Sequence, residues 1–563
     1  MKKFFLLLFL CGFSLIAQKN LPTDYFSNPL DIPLILAGNF GELRSNHFHS
    51  GLDFKTQQKR GLPIYASADG YVKRIKVSHY GYGKALYLQH PNGYITVYAH
   101  LQKFAGAIQK YVKEQQYDKE EYEIELFPEA AVFSVLKGDI IGYTGNSGSS
   151  GGPHLHFEIR DASSRPMNPL LFGIDIPDSK TPIINAIFAY PIAGDAQVNR
   201  SQNAVKLRLI RQKDGSYRTE RISAFGKIGF GVSTDDQQDG ASNKNGAYKI
   251  SANYNGSEVF KIIFDKFSFA ETRYLNRFID YGYYKKNRTR VQKLFRESNN
   301  PLSVIVDESE SGYVTIADGF SSVYTIEVTD FKGNKVSVTI PIEGKQEEIR
   351  ETKPIGETID YVYFDQSNSI TKGKFSVYIP SESLYENTYL QIESNADTLR
   401  LHEDIVPLHK NMTISVDASN YSKSDMSKLY IGKVNYKGAP YYNETYRNGT
   451  RLSIRTRTFG TYVLAMDTVP PKITPLNFED EKWISKNETL KLKIEDDVSG
   501  VSSYRATING KFILTEYDYK KDVLVYDFED NIVSETENKL KIIVVDNVGN
   551  STTFEATFFR KQL

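Results

Sequence analysis

Hydrophobic and polar residues alternate strictly between residues 154 and 160. Because successive side chains of a β-strand point to opposite faces, one face of this predicted strand carries Leu155, Phe157 and Ile159. The opposite face carries the polar residues His154, His156, Glu158 and Arg160. Residues 145–153, immediately upstream, are all Gly, Ser, Asn or Pro, which is typical of a loop. The pattern predicts a strand that projects two histidines from one face, directly after a loop.

Strand-like patterns also precede and follow this stretch. The segments 71–77, 85–89 and 94–98 predict a β-meander, with a tight turn at Asn92-Gly93. From Pro169 to the end of the chain, short β-rich segments alternate with Gly-, Asn-, Asp- and Pro-containing turns, a pattern typical of β-sandwich domains. Aromatic residues make up 13% of the chain, chiefly 38 Tyr and 33 Phe, and they also favour strands.

A weak internal repeat supports the prediction of sandwich domains. Residues 181–184 and 470–473 open two similar units. Each unit ends with a hydrophobic strand and the sequence Asp-x-x-Gly-Asn, at 330–334 in the first unit and at 546–550 in the second. The aspartates of these units could bind Ca²⁺, but turn formation is the simpler explanation.

The first seventeen residues have the features of a secretory signal peptide. Lys2-Lys3 precedes an apolar run over 4–16, and the small residue Ala17 stands before Gln18. We therefore expect an exported protein, periplasmic or secreted and associated with the cell envelope. The only cysteine, Cys11, lies in this leader, so the mature chain has no thiol chemistry. No later stretch is apolar over 18 residues, and we expect no transmembrane segment. A formal charge of +1 over 563 residues argues against nucleic acid as a partner.

The histidines indicate where the chemistry lies. His49 and Asp53 place an imidazole and a carboxylate four residues apart, upstream of the His154/His156 pair. Together with one histidine of that pair they form a mixed nitrogen and oxygen ligand set that suits zinc, and three protein ligands leave a fourth position open, as catalytic zinc sites do. On residue type alone, either histidine of the pair could be the third ligand. By itself, the His-x-His pair would more often be a solvated strand face.

Three motifs occur in one order along the chain. They are His-x-Gly-x-Asp at 49–53, Tyr-Ala-His-Leu at 98–101 and Gly-Asn-Ser-Gly-x-Ser-x-Gly-Pro-His-Leu-His-Phe-Glu at 145–158. Together they resemble the M23 family of zinc metallopeptidases, of the LytM or lysostaphin type. Phe40-Gly41-x-x-Arg44 and the segment 137–142 agree with this resemblance. It covers roughly residues 35–172, about a quarter of the chain.

The resemblance implies a role for each motif residue. His49, Asp53 and His156 would be the metal ligands of one Zn²⁺ per chain, and His100 and His154 would be the catalytic residues. A zinc-bound water would attack the peptide bond. Because the chain lacks the His-Glu-x-x-His motif, a histidine would act as general base or would stabilise the oxyanion.

A helical insertion is predicted within this domain, at about 105–130. Residues 107–123 carry a few apolar side chains among Lys, Glu and Gln, which is typical of a polar, weakly amphipathic helix. The insertion starts soon after His100. It is therefore either a surface excursion or a wall or lid over the cleft, and the sequence leaves both interpretations open.

The predicted fold is mainly β: an N-terminal M23-type antiparallel β-sheet peptidase domain with a helical insertion, followed by about three β-sandwich (Ig-like) domains. The predicted divisions are a signal peptide at 1–17, the peptidase domain at 18–175, an Ig-like β-sandwich at 176–345, a β-rich domain at 346–466 and an Ig-like β-sandwich at 467–563.

The sequence favours a zinc metalloendopeptidase that hydrolyses the peptide cross-links of peptidoglycan. Its partners would be peptidoglycan peptides and, through the C-terminal β domains, envelope proteins. Two alternatives belong to other functional classes. The chain could be a catalytically silent member of the M23 fold that regulates another wall hydrolase, or an adhesive or scaffold protein led by its β-sandwich domains.

Overall fold

The computed structural model describes residues 21–192, 194–353 and 360–561. The predicted signal peptide lies outside these residues. The described chain is mainly β-strand, with a few short helices, as the alternating pattern predicts. Within the described ranges, every helix is too short or too polar to cross a lipid bilayer.

The N-terminal region contains the three motifs. Its strands are β1 (Leu36–Gly38), β2 (Leu52–Lys55), β3 (Pro63–Tyr65), β4 (Gly70–Val77), β5 (Ala85–Gln89), β6 (Ile95–Ala99), β7 (Leu101–Phe104), β8 (Ile124–Leu126), β9 (Ser134–Val135), β10 (Ile140–Thr144), β11 (His154–Arg160) and β12 (Pro166–Met167). Most of them form one nine-stranded sheet in the order β1-β2-β11-β6-β5-β4-β8, with β12 beside β11 and β9 beside β4. The strands β3, β10 and β7 form a second, smaller sheet.

The strand β11 lies between β2 and β6 in the sheet. This strand order brings the three motifs together. The register places His156 opposite Asp53 on β2 and opposite Ala99 on β6. The residue after Ala99 is His100, so residues from all three motifs meet on adjacent strands. The predicted meander strands agree with β4, β5 and β6 to within one residue at each end.

The predicted helix is present as α1 (Gly106–Lys119). Its buried face carries Ile108, Val112 and Gln116. The two apolar side chains pack on the domain, and Gln116 Nε2 donates to the carbonyl oxygen of Tyr122. The left-handed conformation of Glu120 ends the helix, and its backbone N–H donates to the carbonyl oxygens of the last turn.

The second region follows directly. Its strands are β13 (Ile183–Pro191), β14 (Gln197–Val198), β15 (Val205–Leu207), β16 (Leu209–Arg211), β17 (Tyr217–Thr219), β18 (Ile222–Asp235), β19 (Lys249–Tyr254), β20 (Ser257–Ile263), β21 (Gln292–Lys293), β22 (Ile305–Glu308), β23 (Val314–Ile316), β24 (Ser321–Thr329) and β25 (Lys335–Gly344), and its helices are α2 (Leu275–Phe278) and α3 (Tyr281–Asn287). These strands form one thirteen-stranded sheet.

The N-terminal and second regions share one continuous hydrophobic core. At their junction the ring of Phe48 lies 5.6 Å from that of Phe264 and 5.5 Å from that of Phe267, measured between ring centroids. Phe48 stands one residue before His49, so this aromatic packing anchors the first motif on the neighbouring region.

Two further regions each have their own core. The third region contains β26 (Asp360–Val362), β27 (Asn368–Lys372), β28 (Phe375–Ile379), β29 (Thr388–Leu390), β30 (Ile392–Asn395), β31 (Thr398–Leu401), β32 (Met412–Asp417), α4 (Lys423–Lys428), β33 (Leu429–Val434), β34 (Pro440–Tyr442), β35 (Tyr446–Asn448), β36 (Arg451–Thr456) and β37 (Gly460–Met466). The C-terminal region contains β38 (Lys472–Pro475), β39 (Lys482–Trp483), β40 (Thr489–Glu495), β41 (Val501–Ile508), β42 (Lys511–Phe512), β43 (Thr515–Asp518), β44 (Val523–Asp527), β45 (Glu537–Asp546) and β46 (Ser551–Phe559). Each region is built mainly from two sheets.

The two Asp-x-x-Gly-Asn turns have the same geometry. The Asp330 carboxylate accepts the backbone N–H of Asn334 at 2.8 Å, and the Asp546 carboxylate accepts that of Asn550 at the same distance. In both turns the carboxylate also accepts from the Asn side-chain amide. Turn formation therefore gives both aspartates a structural role.

Candidate metal centre

Three side chains converge on one point: His49 lies in the loop before β2, Asp53 lies on β2 and His156 lies on β11. His49 Nε2 lies 3.0 Å from Asp53 Oδ1 and 3.1 Å from His156 Nδ1, and His156 Nδ1 lies 2.8 Å from Asp53 Oδ1. The three residues are buried, with at most 7% of their surface exposed. Ligand atoms about 2.0–2.1 Å from a tetrahedral zinc lie about 3.3 Å from one another. The spacing of these three atoms is close to that of a metal site.

The hydrogen bonds of the two imidazoles show which nitrogens are free. His49 Nδ1 donates to the carbonyl oxygen of Asn39 at 2.7 Å, and His156 Nε2 donates to Glu158 Oε1 at 2.8 Å. In each neutral imidazole the other nitrogen, His49 Nε2 or His156 Nδ1, then carries a lone pair and no hydrogen. Two lone pairs and a carboxylate oxygen face one another, and this arrangement is stable only with a positive charge between them. The donor set and its orientation therefore fit a divalent cation such as zinc.

The pKa of His156 shows that the surrounding carboxylates favour a positive charge at this position. Burial lowers this pKa, but hydrogen bonds to Asp53 and Glu158 outweigh the burial and raise the pKa to about 9. Burial likewise raises the pKa of Asp53, but His49, His154 and His156 outweigh it and hold the Asp53 pKa well below its ordinary value. A proton and a metal ion therefore compete for one position.

Glu158 holds the His156 ring through the hydrogen bond that it accepts from Nε2. Its side chain is fully buried, and besides His156 it accepts a hydrogen bond from Ser50 Oγ at 2.7 Å and others from the Tyr82 hydroxyl and Arg160 Nε. Burial raises the pKa of Glu158, but Arg160 and His156 outweigh that effect and lower it. Its hydrogen bond to His156 Nε2 holds the His156 ring with Nδ1 facing Asp53 and His49.

His100 and His154 lie next to the three converging side chains. Their ring centroids are 4.7 Å apart, and His154 Nε2 lies 3.5 Å from Asp53 Oδ1. His100 Nδ1 donates to the carbonyl oxygen of Ser147 and His154 Nδ1 to that of Gly152, both at 2.9 Å. In the neutral rings Nε2 is therefore the nitrogen that can accept a proton.

His100 has two further unusual properties. Its backbone φ is +62°, in the left-handed region that non-glycine residues rarely adopt, and such strain is typical of functional sites. Burial, together with the neighbouring His154 and His156, lowers the pKa of His100 to about 3. The His100 ring is consequently neutral at physiological pH.

The glycine of the first motif is required by packing. A Cβ atom added to Gly51 would lie 2.3 Å from the carbonyl oxygen of Phe157 on β11. The absence of a side chain lets the backbone between His49 and Asp53 approach the strand that carries His156.

The structure thus brings together all five residues that the sequence selected. The sequence analysis assigned no role to Arg44, Ser50 or Tyr82, which hold Asp53 and Glu158 in place. Arg44 does belong to the Phe40-Gly41-x-x-Arg44 element. That element could have identified Arg44 as a residue of the site, whereas no sequence pattern points to Ser50 or Tyr82.

Comparison with known proteins agrees with this geometry. Residues 47–117 match the family model described as Peptidase family M23, and residues 359–467 match that of the Zu5-like domain. The M23 match covers the first two motifs, and the Zu5-like match covers the third region.

Two bacterial relatives align with the N-terminal region. The DD-carboxypeptidase/endopeptidase Mpg of Neisseria meningitidis is 33% identical over 136 residues, which is 24% of this chain and 25% of Mpg. The peptidoglycan DD-endopeptidase ShyA of Vibrio cholerae is 31% identical over 157 residues, 27% of this chain and 30% of ShyA. The alignments thus span between a quarter and a third of the relatives' own length.

Among solved structures, the catalytic domain of lysostaphin from Staphylococcus simulans is 24% identical and covers 24% of this chain and 90% of that domain, with a TM-score of 0.18. The motifs, their convergence on adjacent strands and the family match all concern the same quarter of the chain. The N-terminal region of this chain is therefore similar to Peptidase family M23 in its matched sequence, and the residues of its motifs converge on one site.

Proposed function

We propose that this chain is an exported zinc metalloendopeptidase that hydrolyses peptide cross-links of peptidoglycan. The observation that carries the proposal is the convergence of His49 Nε2, Asp53 Oδ1 and His156 Nδ1 within 3.1 Å, with the histidine pair His100 and His154 beside them. Three ligands and two adjacent imidazoles suit hydrolysis better than a structural metal, which would have four protein ligands.

The roles of the protein groups follow from their hydrogen bonds. A zinc ion held by His49, Asp53 and His156 would lower the pKa of a water ligand and polarise the peptide carbonyl. His100 and His154 each direct Nδ1 at a backbone carbonyl oxygen, which fixes the tautomer and leaves Nε2 without a hydrogen. Because the pKa of His100 is about 3, its ring is a weak base, and we assign the acceptance of the proton to His154. After accepting it, the same imidazolium can donate a hydrogen bond to a developing oxyanion or return the proton to the leaving amine.

The substrate class rests on the relatives. Mpg and ShyA are named for cleavage of peptidoglycan or of DD-peptide bonds, and they align with the part of the chain that holds the site. Export rests on the sequence of residues 1–17, and a wall enzyme needs it. The silent-regulator alternative loses weight because the ligand set and the histidine pair are both complete.

The test is digestion of purified peptidoglycan sacculi by the full chain, with the released muropeptides separated by chromatography and identified by mass. We expect cross-linked dimers to be converted to monomers, and we expect chelation or Asp53→Asn to stop the conversion. The matched control is Glu555→Gln, an exposed carboxylate on β46 far from the motifs in sequence, which should act like the parent. Intact dimers with zinc-loaded parent protein would contradict the proposal.

A further inference from the structure

The nitrogens of the histidine pair are held by one loop, residues 145–153, here called the Gly/Ser loop. Its Ser147 carbonyl oxygen accepts from His100, and its Gly152 carbonyl oxygen accepts from His154. Ser150 Oγ also lies 3.1 Å from His154 Nδ1. The position of the Gly/Ser loop therefore sets the orientation of both imidazoles.

The Gly/Ser loop is rich in glycine. Four of its nine residues are glycine, which gives the backbone wide conformational freedom and a large entropy cost of ordering. Around Gly151 and Gly152 an added Cβ would meet no atom within 4 Å, so packing does little to fix that end. Within the N-terminal region, Ser147 Oγ donates to the carbonyl oxygen of Leu101 and the Ser149 backbone N–H donates to that of Gly81, both at 2.8 Å, so the middle of the loop is held there. The carbonyl oxygens of Asn146 and Ser150, on either side of Ser147, are reached from elsewhere in the chain.

The C-terminal region supplies these contacts. Lys520 Nζ donates to the carbonyl oxygen of Asn146 at 2.9 Å and to that of Ser150 at 2.7 Å. These two carbonyls flank Ser147, so one ammonium group bridges the segment that orients His100. Hydrogen bonds from a charged donor are stronger than those between neutral groups.

The C-terminal region is docked on the peptidase domain by several other contacts. Tyr117 on α1 donates its hydroxyl to Asp530 Oδ2 at 2.6 Å, and Lys113 on the same helix pairs with that buried carboxylate. Lys84 Nζ lies 2.8 Å from Glu516 Oε2, on the strand that leads to Lys520. The face of α1 that carries Lys113 and Tyr117, opposite its buried stripe, is therefore the surface on which the C-terminal region docks.

We propose that Lys520 is a positioning residue, through which the C-terminal region holds the Gly/Ser loop and so orients His100 and His154. The helical insertion then has a defined purpose, because α1 carries the contacts that keep Lys520 in reach of the loop. The proposal rests on the proposed function for its kinetic consequence, but its structural consequence is independent of any substrate.

The test compares Lys520→Met, Lys520→Arg and the matched control Lys521→Met in the full chain. Lys521 is the neighbouring lysine, pairs with Asp518 and makes no described contact with the loop. Hydrogen exchange of the amides in 145–153 is measured first. We expect exchange roughly tenfold faster in Lys520→Met, near-parental exchange in Lys520→Arg and no change in Lys521→Met.

Kinetics on cross-linked muropeptides give the second readout. We expect Lys520→Met to lower kcat roughly tenfold with KM within about twofold of the parent, because the chemistry is misaligned while substrate binding is intact. Zinc content should be the same in all variants. Unchanged loop exchange in Lys520→Met would overturn the proposal even if the parent proved inactive. Faster exchange with raised kcat would also overturn it, since the C-terminal region would then restrain the enzyme.

Discussion

Arg44 Nη2 lies 3.1 Å from Asp53 Oδ2, the carboxylate oxygen that does not face the histidines. The other oxygen, Oδ1, is the one that His49 and His156 approach. The guanidinium thus fixes the rotation of the carboxylate and directs a single oxygen at the metal position. A metal ligand is generally held by such a partner on its far side, and loss of the partner weakens metal binding.

Arg44→Met should therefore weaken zinc binding about 10- to 100-fold, because Asp53 would be free to rotate and its negative charge would be uncompensated on one side. The measurement is competitive titration against a chromophoric zinc chelator. The control is Arg208→Met, which removes an exposed arginine paired with Glu220 in the second region. Equal affinities of Arg44→Met and the parent would show that Asp53 needs no orienting partner.

Glu158→Gln should destabilise the N-terminal region by about 3–5 kcal/mol, because it leaves the charge of the largely buried Arg160 without its partner. Scanning calorimetry is the suitable measurement, since the only tryptophan, Trp483, lies in the C-terminal region and would not report on this core. Glu555→Gln serves again as the exposed control. A shift no larger than that of the control would mean that the buried pair contributes nothing to stability.

The same substitution has a predicted pH dependence. The pKa of Glu158 is lowered in the folded protein, so its ionised form contributes stability that is present above the ordinary value of 4.5 and is lost as the pH falls through the folded value. The difference in stability between the parent and Glu158→Gln should therefore be largest near neutral pH and should shrink below about pH 4.5. A difference that is constant from pH 7 to pH 3 would contradict this assignment.

Gly51→Ala should disrupt the metal site through the backbone. The added methyl group would lie 2.3 Å from the Phe157 carbonyl oxygen, and relief of that contact must separate β2 from β11, which carry Asp53 and His156. We expect a loss of about 1–3 kcal/mol or more in stability together with reduced zinc content. Gly151→Ala is the matched control, because its methyl group meets nothing within 4 Å. Full zinc loading of Gly51→Ala would show that the strands tolerate the displacement.

The sequence predicts much of the site because its signals are local. Strict alternation from 154 to 160 placed His154 and His156 on one face, and the spacing of His49 and Asp53 indicated a ligand pair. The pairing of β11 with both β2 and β6 then converts three separated motifs into neighbours. Proteins that share these motifs share this strand pairing, so the motifs alone are enough to select the five residues.

The remaining features depend on contacts between distant residues, which leave no periodic pattern. Tyr82 reaches Glu158 across 76 positions of the chain, and Lys520 reaches the Gly/Ser loop across about 370. The contacts of helix α1 with the C-terminal region are likewise not predictable from its own sequence. Its amphipathic pattern predicted the buried stripe, but its outer face, with Lys113 and Tyr117, reads as a solvated surface until the C-terminal region is seen against it.

The central claim is that His49, Asp53 and His156 hold the metal while His154 takes part in proton transfer, and one comparison separates these roles. Zinc content and turnover of cross-linked muropeptides are measured for His156→Ala and His154→Ala beside the parent. The account predicts that His156→Ala loses both zinc and turnover. It predicts that His154→Ala keeps about one zinc per chain and loses roughly 10²–10⁴-fold in kcat. Zinc retained in His156→Ala, or turnover retained in His154→Ala, would contradict the account.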